Sequence, residues 1–215
     1  STSHSDTGFT RHIVDSIIEG FTTVRSTPAL LTVTLQNLAI GLFLMGSYIV
    51  TMPLLIRQNH EGTSSELAWM NIANAAGLFL SSITLLRMDG VKRPGRALLM
   101  SLAFAGLLLG CTAFARSFAE LIFIVFLWGV GGGLVMTMSR SIMQEQAPAK
   151  QRGRIMAFFS LSFMGAGLVG SLLNGYLVEV FRAEGALLFS ASGIILAVVL
   201  VHATSSIWHL ESHWS

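Results

Sequence analysis

The most restrictive feature of this sequence is a series of six long apolar runs that contain no Asp, Glu, Lys or Arg. Each run has about the 20 residues that a helix needs to cross the hydrocarbon of a bilayer. Backbone groups in lipid must be paired within a helix or a closed barrel, and these runs lack strict alternation. The sequence therefore predicts an all-α membrane protein with six transmembrane helices, at Leu30–Ile56, Leu67–Leu86, Ala97–Ala115, Leu121–Ser139, Ile155–Val178 and Gly185–Ala203.

The composition indicates that lipid covers much of the surface. Hydrophobic residues make up 53% of the chain and charged residues 11%, whereas about 25% is usual in soluble proteins. No basic face with interleaved aromatic residues is present, so a nucleic-acid partner is not expected. The single Cys111 lies in an apolar run and excludes a disulfide framework or a CxxC site. We expect no metal ion and no cofactor.

Two basic loops predict the orientation of the runs. Residues 87–96 and residues 140–154 contain eight of the thirteen Lys and Arg residues, and each loop has a net charge of +3. The loops after the first, third and fifth runs have net charges of −1, 0 and −1. Basic loops mark the cytoplasmic side of a membrane protein. Both termini are therefore predicted to be cytoplasmic, in a protein of the bacterial inner (cytoplasmic) membrane.

The ends of the chain differ from the apolar middle. Residues 1–28 include a stretch, Phe9–Arg25, whose apolar residues recur every four positions while its charges lie elsewhere. This pattern predicts an amphipathic helix on the membrane or on the cytoplasmic mouth of the bundle, or else a solvated linker helix. We assign residues 29–204 to the bundle and residues 205–215 to a cytoplasmic tail. The absence of a leading Met and of a signal peptide suggests a trimmed piece of a longer chain.

Several residues inside the runs are candidates for a substrate cavity. Polar groups at membrane depth are costly and usually face a partner helix or a wet cavity. By helical spacing, one face of the first run comprises Asn37, Gly41, Leu44, Tyr48 and Thr51. The alternative role is hydrogen bonding between helices, worth about 0.6 kcal/mol per contact on average. The candidates for the cavity are Gln36, Asn37, Tyr48, Asn71, Asn74 and Met136.

Small residues predict close contacts between helices. On the fifth run they recur every four residues, and the fourth run contains the segment Gly129-Val-Gly-Gly-Gly133. Small residues at such spacing let helix backbones approach closely. Glycines also weaken a helix, so residues 131–133 are a candidate bend, with plain packing as the alternative. The packing candidates are Gly131, Gly132, Gly167, Gly170, Ser171 and Gly175.

The loops resemble those of the major facilitator superfamily. Arg93-Pro94-Gly95-Arg96 matches the end of that family's basic loop motif, roughly Asp-Arg-x-Gly-Arg-Arg, although Asp89 lies too far upstream to take the motif's Asp position. The second loop, with Pro148 and Arg152-Gly153-Arg154, is similar to the loop between helices ten and eleven of drug and siderophore exporters.

The resemblance implies one half of a twelve-helix transporter, with these runs as helices seven to twelve. The partners would be the lipid bilayer, a small-molecule substrate and the N-terminal six-helix half. The implied function is secondary export of a small amphipathic compound of drug or siderophore type by alternating access. A non-transporting assembly protein and an uptake carrier are the alternatives. A lid of ionic contacts at the cytoplasmic mouth would involve Arg93, Gly95, Arg96, Arg140, Glu145, Arg152 and Arg154; lipid anchoring is the alternative for each arginine.

An enzyme is not expected. Ser192 and the nearest histidine, His202, lie on one helix about 15 Å apart, which is too far for a serine–histidine dyad. Every Asp and Glu falls in a loop or at the end of a run. A proton-coupled transporter needs a carboxylate that becomes desolvated within the membrane. Any proton coupling is therefore predicted to reside in the other half.

Overall fold

The computed structural model describes residues 21–59, 62–87, 93–149 and 151–204, which are helical apart from short turns and contain no strand. The first helical rod, Pro28–Gln58, begins as α1 (Pro28–Ala39), continues as two π-helical segments (Ile40–Met45 and Ser47–Thr51) and ends in α2 (Met52–Asn59). It is called the first rod below. The remaining helices are α3 (Ser64–Arg87), α4 (Pro94–Thr112), α5 (Phe118–Gln146) and α6 (Arg152–Thr204).

Five helices of the described part are long and apolar enough to cross a membrane. The last of them, α6, has 53 residues, or about 80 Å at ~1.5 Å per residue, far more than a hydrocarbon core of about 30 Å. Its backbone is broken at Arg182, where φ is 62°. Ser190 Oγ donates to Asn174 Oδ1 at 3.1 Å, and these residues lie eight positions on either side of the break. α6 is therefore a hairpin of two arms, α6a (residues 152–181) and α6b (residues 183–204).

Dividing α6 at Arg182 brings the five helices to the six that the apolar runs predict. Two predicted boundaries are wrong. The expected loop at residues 179–184 is helical on both sides of the single residue Arg182. The third run was expected to extend to Ala115, but α4 ends at Thr112 and residues 113–114 form a turn.

Contacts fix the relative directions of the helices. Asn37 Nδ2 of the first rod donates to the Phe159 carbonyl at 2.9 Å, and Thr51 Oγ1 donates to Asn174 Oδ1 at 3.0 Å. Residue numbers rise together in these two contacts, so the first rod and α6a run parallel. A Cβ atom added at Gly77 would meet Phe126, and one added at Gly133 would meet Ser81. Residue numbers rise together in these contacts too, so α3 and α5 also run parallel.

A Cβ atom added at Gly106 would meet Ile194, and one added at Gly110 would meet Ala191. Residue numbers rise along α4 and fall along α6b, so these two helices run antiparallel. The alternating directions put the start of the first rod, the α3–α4 connection and the α5–α6 connection at one end of the bundle. We call this the basic end. The opposite end contains the start of α3, the start of α5 and the Arg182 break.

Helix starts at the two ends differ in their chemistry. At the start of α3, the backbone N–H and the hydroxyl of Thr63 both donate to the Glu66 carboxylate. At the start of α5, Glu120 N–H donates to Ser117 Oγ at 3.2 Å. A hydroxyl residue followed three positions later by Glu is a capping box, which pairs N–H groups that a helix leaves free. At the basic end, α4 instead begins with Pro94 and has no side-chain cap.

The described N-terminal residues pack against the basic end. Residues 21–26 are helical, and the Phe21 ring lies 6.0 Å from the Phe158 ring in an edge-to-face arrangement. Thr23 Oγ1 donates to Gln151 Oε1 at 2.8 Å. These contacts hold residues 21–26 against the start of α6, and the amphipathic helix stays a prediction. The rest of the predicted helix Phe9–Arg25 and the predicted tail at 205–215 lie outside the described residues.

Large apolar side chains cover the outside of the bundle. Leu168, Leu172 and Phe114 are 73%, 78% and 71% exposed, while Leu98 and Leu102 are fully buried between helices. Exposed apolar surface this extensive is incompatible with water, since soluble monomers rarely expose patches of more than a few hundred Å². Lipid must therefore surround the helices, as the composition indicates, and the chain is an integral membrane protein.

Candidate functional site

A cavity of about 330 Å³ lies where the first rod, α3, α5 and α6a meet. Its volume is at the lower end of the range of about 300–1,000 Å³ that is typical of small-molecule sites. Most of the lining is apolar, and no charged residue is among the described residues that form it. The lining residues are Asn37, Ile40, Leu44, Met45, Tyr48, Asn74, Leu78, Trp128, Gly129, Gly132, Val135, Met136, Ser139 and Phe163.

Tyr48 and Trp128 form an aromatic wall of the cavity. Their ring centroids lie 5.4 Å apart with the planes tilted by 53°. Tyr48 Oη donates to Asn71 Oδ1 at 2.7 Å, and Asn71 Nδ2 donates to the Leu67 carbonyl of its own helix at 2.8 Å. The phenol is thus held between α3 and α5, and its ring is presented to the cavity. Rigid aromatic surfaces favour the binding of flat apolar groups.

Two polar side chains in the lining have no hydrogen-bond partner among the described residues. Ser139 is 1% exposed, and its hydroxyl is unpaired. The Asn74 side chain also lines the cavity, and no hydrogen bond from its amide is found in the described part of the chain. An unpaired polar group in an apolar site costs free energy. The Asn74 amide is therefore available to a ligand, whereas the Ser139 hydroxyl is enclosed by the protein and has no access to the cavity.

Four of the six predicted cavity residues line the cavity: Asn37, Tyr48, Asn74 and Met136. Asn71 lies one hydrogen bond away, behind Tyr48. Gln36 is not part of the lining. Gln36 immediately precedes Asn37, so its side chain points about 100° away from that of Asn37 around the helix axis. It is 1% exposed, and both of its amide atoms are unpaired among the described residues.

The predicted face of the first rod is divided between two directions. Leu44 and Tyr48 line the cavity, but the Cβ position of Gly41 meets Ala166 at 2.7 Å and Thr51 bonds Asn174. The prediction assumed α-helical winding, whereas residues 40–45 and 47–51 are π-helical. A π-helix bonds i to i+5 and turns less per residue than an α-helix, so positions that share an α-helical face diverge.

Sequence reasoning missed Trp128, Ser139 and Phe163 as cavity residues. Trp128 is one turn before Gly132 and two turns before Met136, so the helical period was a usable signal. Ser139 was treated as the end of a run, which hid its burial. Nothing in the sequence distinguishes Phe163 from the other phenylalanines of the chain.

A second hollow, of about 570 Å³, lies between the first rod and α6a on the outside of the bundle. Ser162 is the only polar side chain among its described lining residues, which include Leu38, Phe43 and Val169. It lacks the convergent polar groups that fix a ligand's orientation. The first cavity is therefore the better candidate site.

Asn174 is the centre of a buried hydrogen-bond cluster, called the Asn174 cluster below. Its side chain is fully buried. Ser47, Thr51 and Ser190 donate to its Oδ1 at 2.9, 3.0 and 3.1 Å. Its Nδ2 donates to the Gly170 carbonyl at 2.9 Å and to the Leu42 carbonyl at 3.4 Å. The cluster ties the π-helical part of the first rod to both arms of α6.

The glycines of α6a differ from the predicted packing stripe. At Gly170 an added Cβ would overlap the Leu42 backbone, and at Gly167 it would lie 2.5 Å from Met45 Sδ. At Gly175 it would have no neighbour within 4 Å in the described structure, so the expected close contact is wrong there. Ser171 donates to the Gly167 carbonyl of its own helix at 2.9 Å. The contact face follows Gly170 and Asn174, because side chains three and four residues apart share a face.

The glycines of α5 also differ from one another. Gly131 is close to Phe104 Cδ1, at 3.3 Å from its Cβ position, whereas Gly132 has no neighbour within 4 Å. The candidate bend at residues 131–133 is not formed, since α5 is one continuous helix of 29 residues.

The predicted gate residues all lie at the basic end. Arg93, Gly95 and Arg96 are at the start of α4, Arg140 and Glu145 are near the end of α5, and Arg152 and Arg154 are at the start of α6a. Glu145 Oε1 accepts a hydrogen bond from Ser141 of its own helix at 3.0 Å. Asp89 lies outside the described residues. A gate function for these residues stays a prediction.

A lipid-exposed helical bundle with a cavity between its helices is compatible with a membrane transporter. The sequence model of the Major Facilitator Superfamily matches residues 29–208. Because that match covers most of the chain, this chain belongs to the major facilitator superfamily, as its loops suggest.

Named relatives extend this comparison. The chain is 29% identical over 175 residues to an uncharacterized MFS-type transporter, YwfA, of Bacillus subtilis (strain 168), which covers 81% of this chain and 40% of that protein. It is 26% identical over 194 residues to the multidrug efflux pump Tap of Mycolicibacterium fortuitum, covering 89% and 47%. It is 28% identical over 182 residues to the agnestins efflux protein AgnL12 of Paecilomyces divaricatus, covering 76% and 39%. The chain spans less than half the length of these curated relatives.

Proposed function

We propose that the whole protein exports a small, uncharged amphipathic organic compound by alternating access, and that the cavity is this half's share of the substrate site. The cavity itself is the observation on which the proposal depends. It combines a charge-free apolar lining, an aromatic wall and the side-chain amide of Asn74. A drug-like neutral molecule fits such a lining better than an anionic iron chelate, because a buried charge needs an opposite charge.

The direction of transport is inferred from the relatives. Two of them are named as efflux proteins. We further propose that the basic end faces the cytoplasm, because basic loops are retained there, and that an N-terminal six-helix half completes the protein. The arginines and Glu145 at the basic end would then close the cytoplasmic mouth.

The source of the driving force is also part of the proposal. Glu66 and Glu120 lie in the first turns of α3 and α5, and Glu145 lies in the last turn of α5. None of the described carboxylates is at mid-membrane depth, where desolvation would bring its pKa toward the working range. Proton coupling would therefore be supplied by the other half.

Nile red efflux tests the proposal, because this dye is uncharged, amphipathic and fluorescent in lipid. Cells that express the full protein should lose preloaded Nile red faster than cells without it, and inside-out vesicles should accumulate the dye. Asn74→Ala should lower the apparent affinity about tenfold, the effect of roughly one lost hydrogen bond. Ser82→Ala is the matched control, because Ser82 is exposed and bonds only its own helix. Equal dye loss with and without the protein would contradict export.

A further inference from the structure

The glycines of α5 have different surroundings, although they are adjacent in the sequence. A Cβ at Gly129 would overlap the carbonyl oxygen of Asn74, and a Cβ at Gly133 would overlap the hydroxyl of Ser81. Gly131 is less confined, although Phe104 Cδ1 lies 3.3 Å from its Cβ position. Close packing against α3 and α4 therefore accounts for three of the four glycines.

Gly132 is the exception. A Cβ there would have no neighbour within 4 Å in the described structure, and Gly132 lines the cavity. Glycine in the interior of a helix costs about 1 kcal/mol relative to alanine. At Gly129 and Gly133, close contacts with α3 offset this cost. At Gly132 no such contact exists within the described structure. A side chain at this position would instead extend into the cavity.

The residues beside Gly132 indicate what occupies that space. Trp128 and Met136 lie one turn before and one turn after it, and all three line the cavity. Because Gly132 has no side chain, space remains along α5 between Trp128 and Met136, and we call this space the slot. Aromatic rings stack on indoles and make favourable contacts with methionine sulfur. The Asn74 side chain, which also lines the cavity, carries an amide with both a donor and an acceptor.

We infer that Gly132 sets the upper size limit of the ligand, and that the slot beside it accepts planar fused-ring compounds with an amide-like polar group. This inference rests on the proposed substrate site, because it requires the cavity to bind a ligand. It does not require that the ligand be exported. Binding and transport can therefore be tested separately.

Three neutral amides of increasing size serve as probes: benzamide, naphthamide and anthracene carboxamide. Isothermal titration calorimetry on the purified full-length protein would measure their affinities. Gly132→Leu should weaken anthracene carboxamide binding at least tenfold and change benzamide binding less than twofold. The smaller Gly132→Ala should raise the melting temperature, because alanine favours the helix, and should weaken only the largest amide. Gly175→Leu is the matched control, since Gly175 also has no neighbour within 4 Å but does not line the cavity.

The possible results separate the inference from the proposed function. An unchanged size range in Gly132→Leu would overturn the inference, and so would a lower melting temperature in Gly132→Ala, which would assign Gly132 to packing. If no amide binds the unmodified protein, both the inference and the substrate site are wrong. If the size limit shifts as expected but Nile red is not exported, the inference stands and the transport proposal is wrong.

Discussion

Two groups of polar side chains lie within the membrane-spanning part, the cavity lining and the Asn174 cluster. In the cluster, one amide oxygen accepts from three hydroxyls and the amide nitrogen donates to two carbonyls. In the cavity lining, the Asn74 amide forms no hydrogen bond in the described part of the chain. Residues of the same chemical type therefore differ in whether their hydrogen bonds are already used. Paired groups hold helices together, and unpaired groups at a cavity are available to bind a ligand.

The largest expected effect comes from removing the centre of the cluster. Asn174→Ala deletes five hydrogen bonds, which at ~0.6 kcal/mol each amount to about 3 kcal/mol of unfolding free energy. Reversible unfolding in mixed detergent micelles would measure the loss. The fraction that remains folded should bind substrate with unchanged affinity, because Asn174 does not line the cavity. A loss of affinity without a loss of stability would reverse the roles that we assign to the two regions.

A smaller loss is expected from crowding the helix contact beside the cluster. In Gly46→Ala the new Cβ would lie 2.5 Å from the Gly170 backbone and 2.7 Å from Asn174 Nδ2. Overpacking of this kind typically costs about 1–3 kcal/mol. The same measurement on Gly175→Ala provides the control, and it should show a gain of up to about 1 kcal/mol from helix propensity. Equal effects of the two substitutions would argue against a close contact at Gly46.

The smallest effects should have opposite signs in the two regions. Ser47→Ala removes one of three hydroxyls from Asn174 and should cost about 0.6 kcal/mol. Ser139→Ala removes an unpaired buried hydroxyl and should be neutral or stabilising by up to about 1 kcal/mol. Paired unfolding curves for the two variants would test this difference. Destabilisation by Ser139→Ala would mean that Ser139 has a structural partner.

Much of the fold could be predicted because a bilayer restricts the possible structures. Uncharged runs of about 20 residues must be helices, and α3 and α5 contain the runs predicted for them. The boundaries near Arg182 and Thr112 could not be predicted. The charges at Glu179 and Glu184 indicated a loop of several residues. The chain instead turns at the single residue Arg182, which has a positive φ. Hydropathy carries no information about backbone dihedral angles, so this turn could not be predicted.

The candidate site could be predicted only in part. Helical spacing selected Asn37, Tyr48 and Asn74, which line the cavity, because the period of a helix limits which residues share a face; their role in substrate binding stays a prediction. Helical spacing failed at Gly41 and Thr51, where π-helical winding changes the period. Asn174 was not among the predicted candidates, since its position near the end of a run gave no indication of three hydroxyl donors.

The one-residue turn at Arg182 has a mechanical consequence. The arms α6a and α6b are joined at the turn and again at the Asn174–Ser190 hydrogen bond, eight residues along each arm. The turn and this hydrogen bond restrict the relative rotation of the two arms, so we expect the arms to move together as one lever. Because α6a contacts the first rod through Asn37 and Thr51, and α6b contacts α4 near Gly106, a displacement of either neighbour is transmitted to the other through this lever.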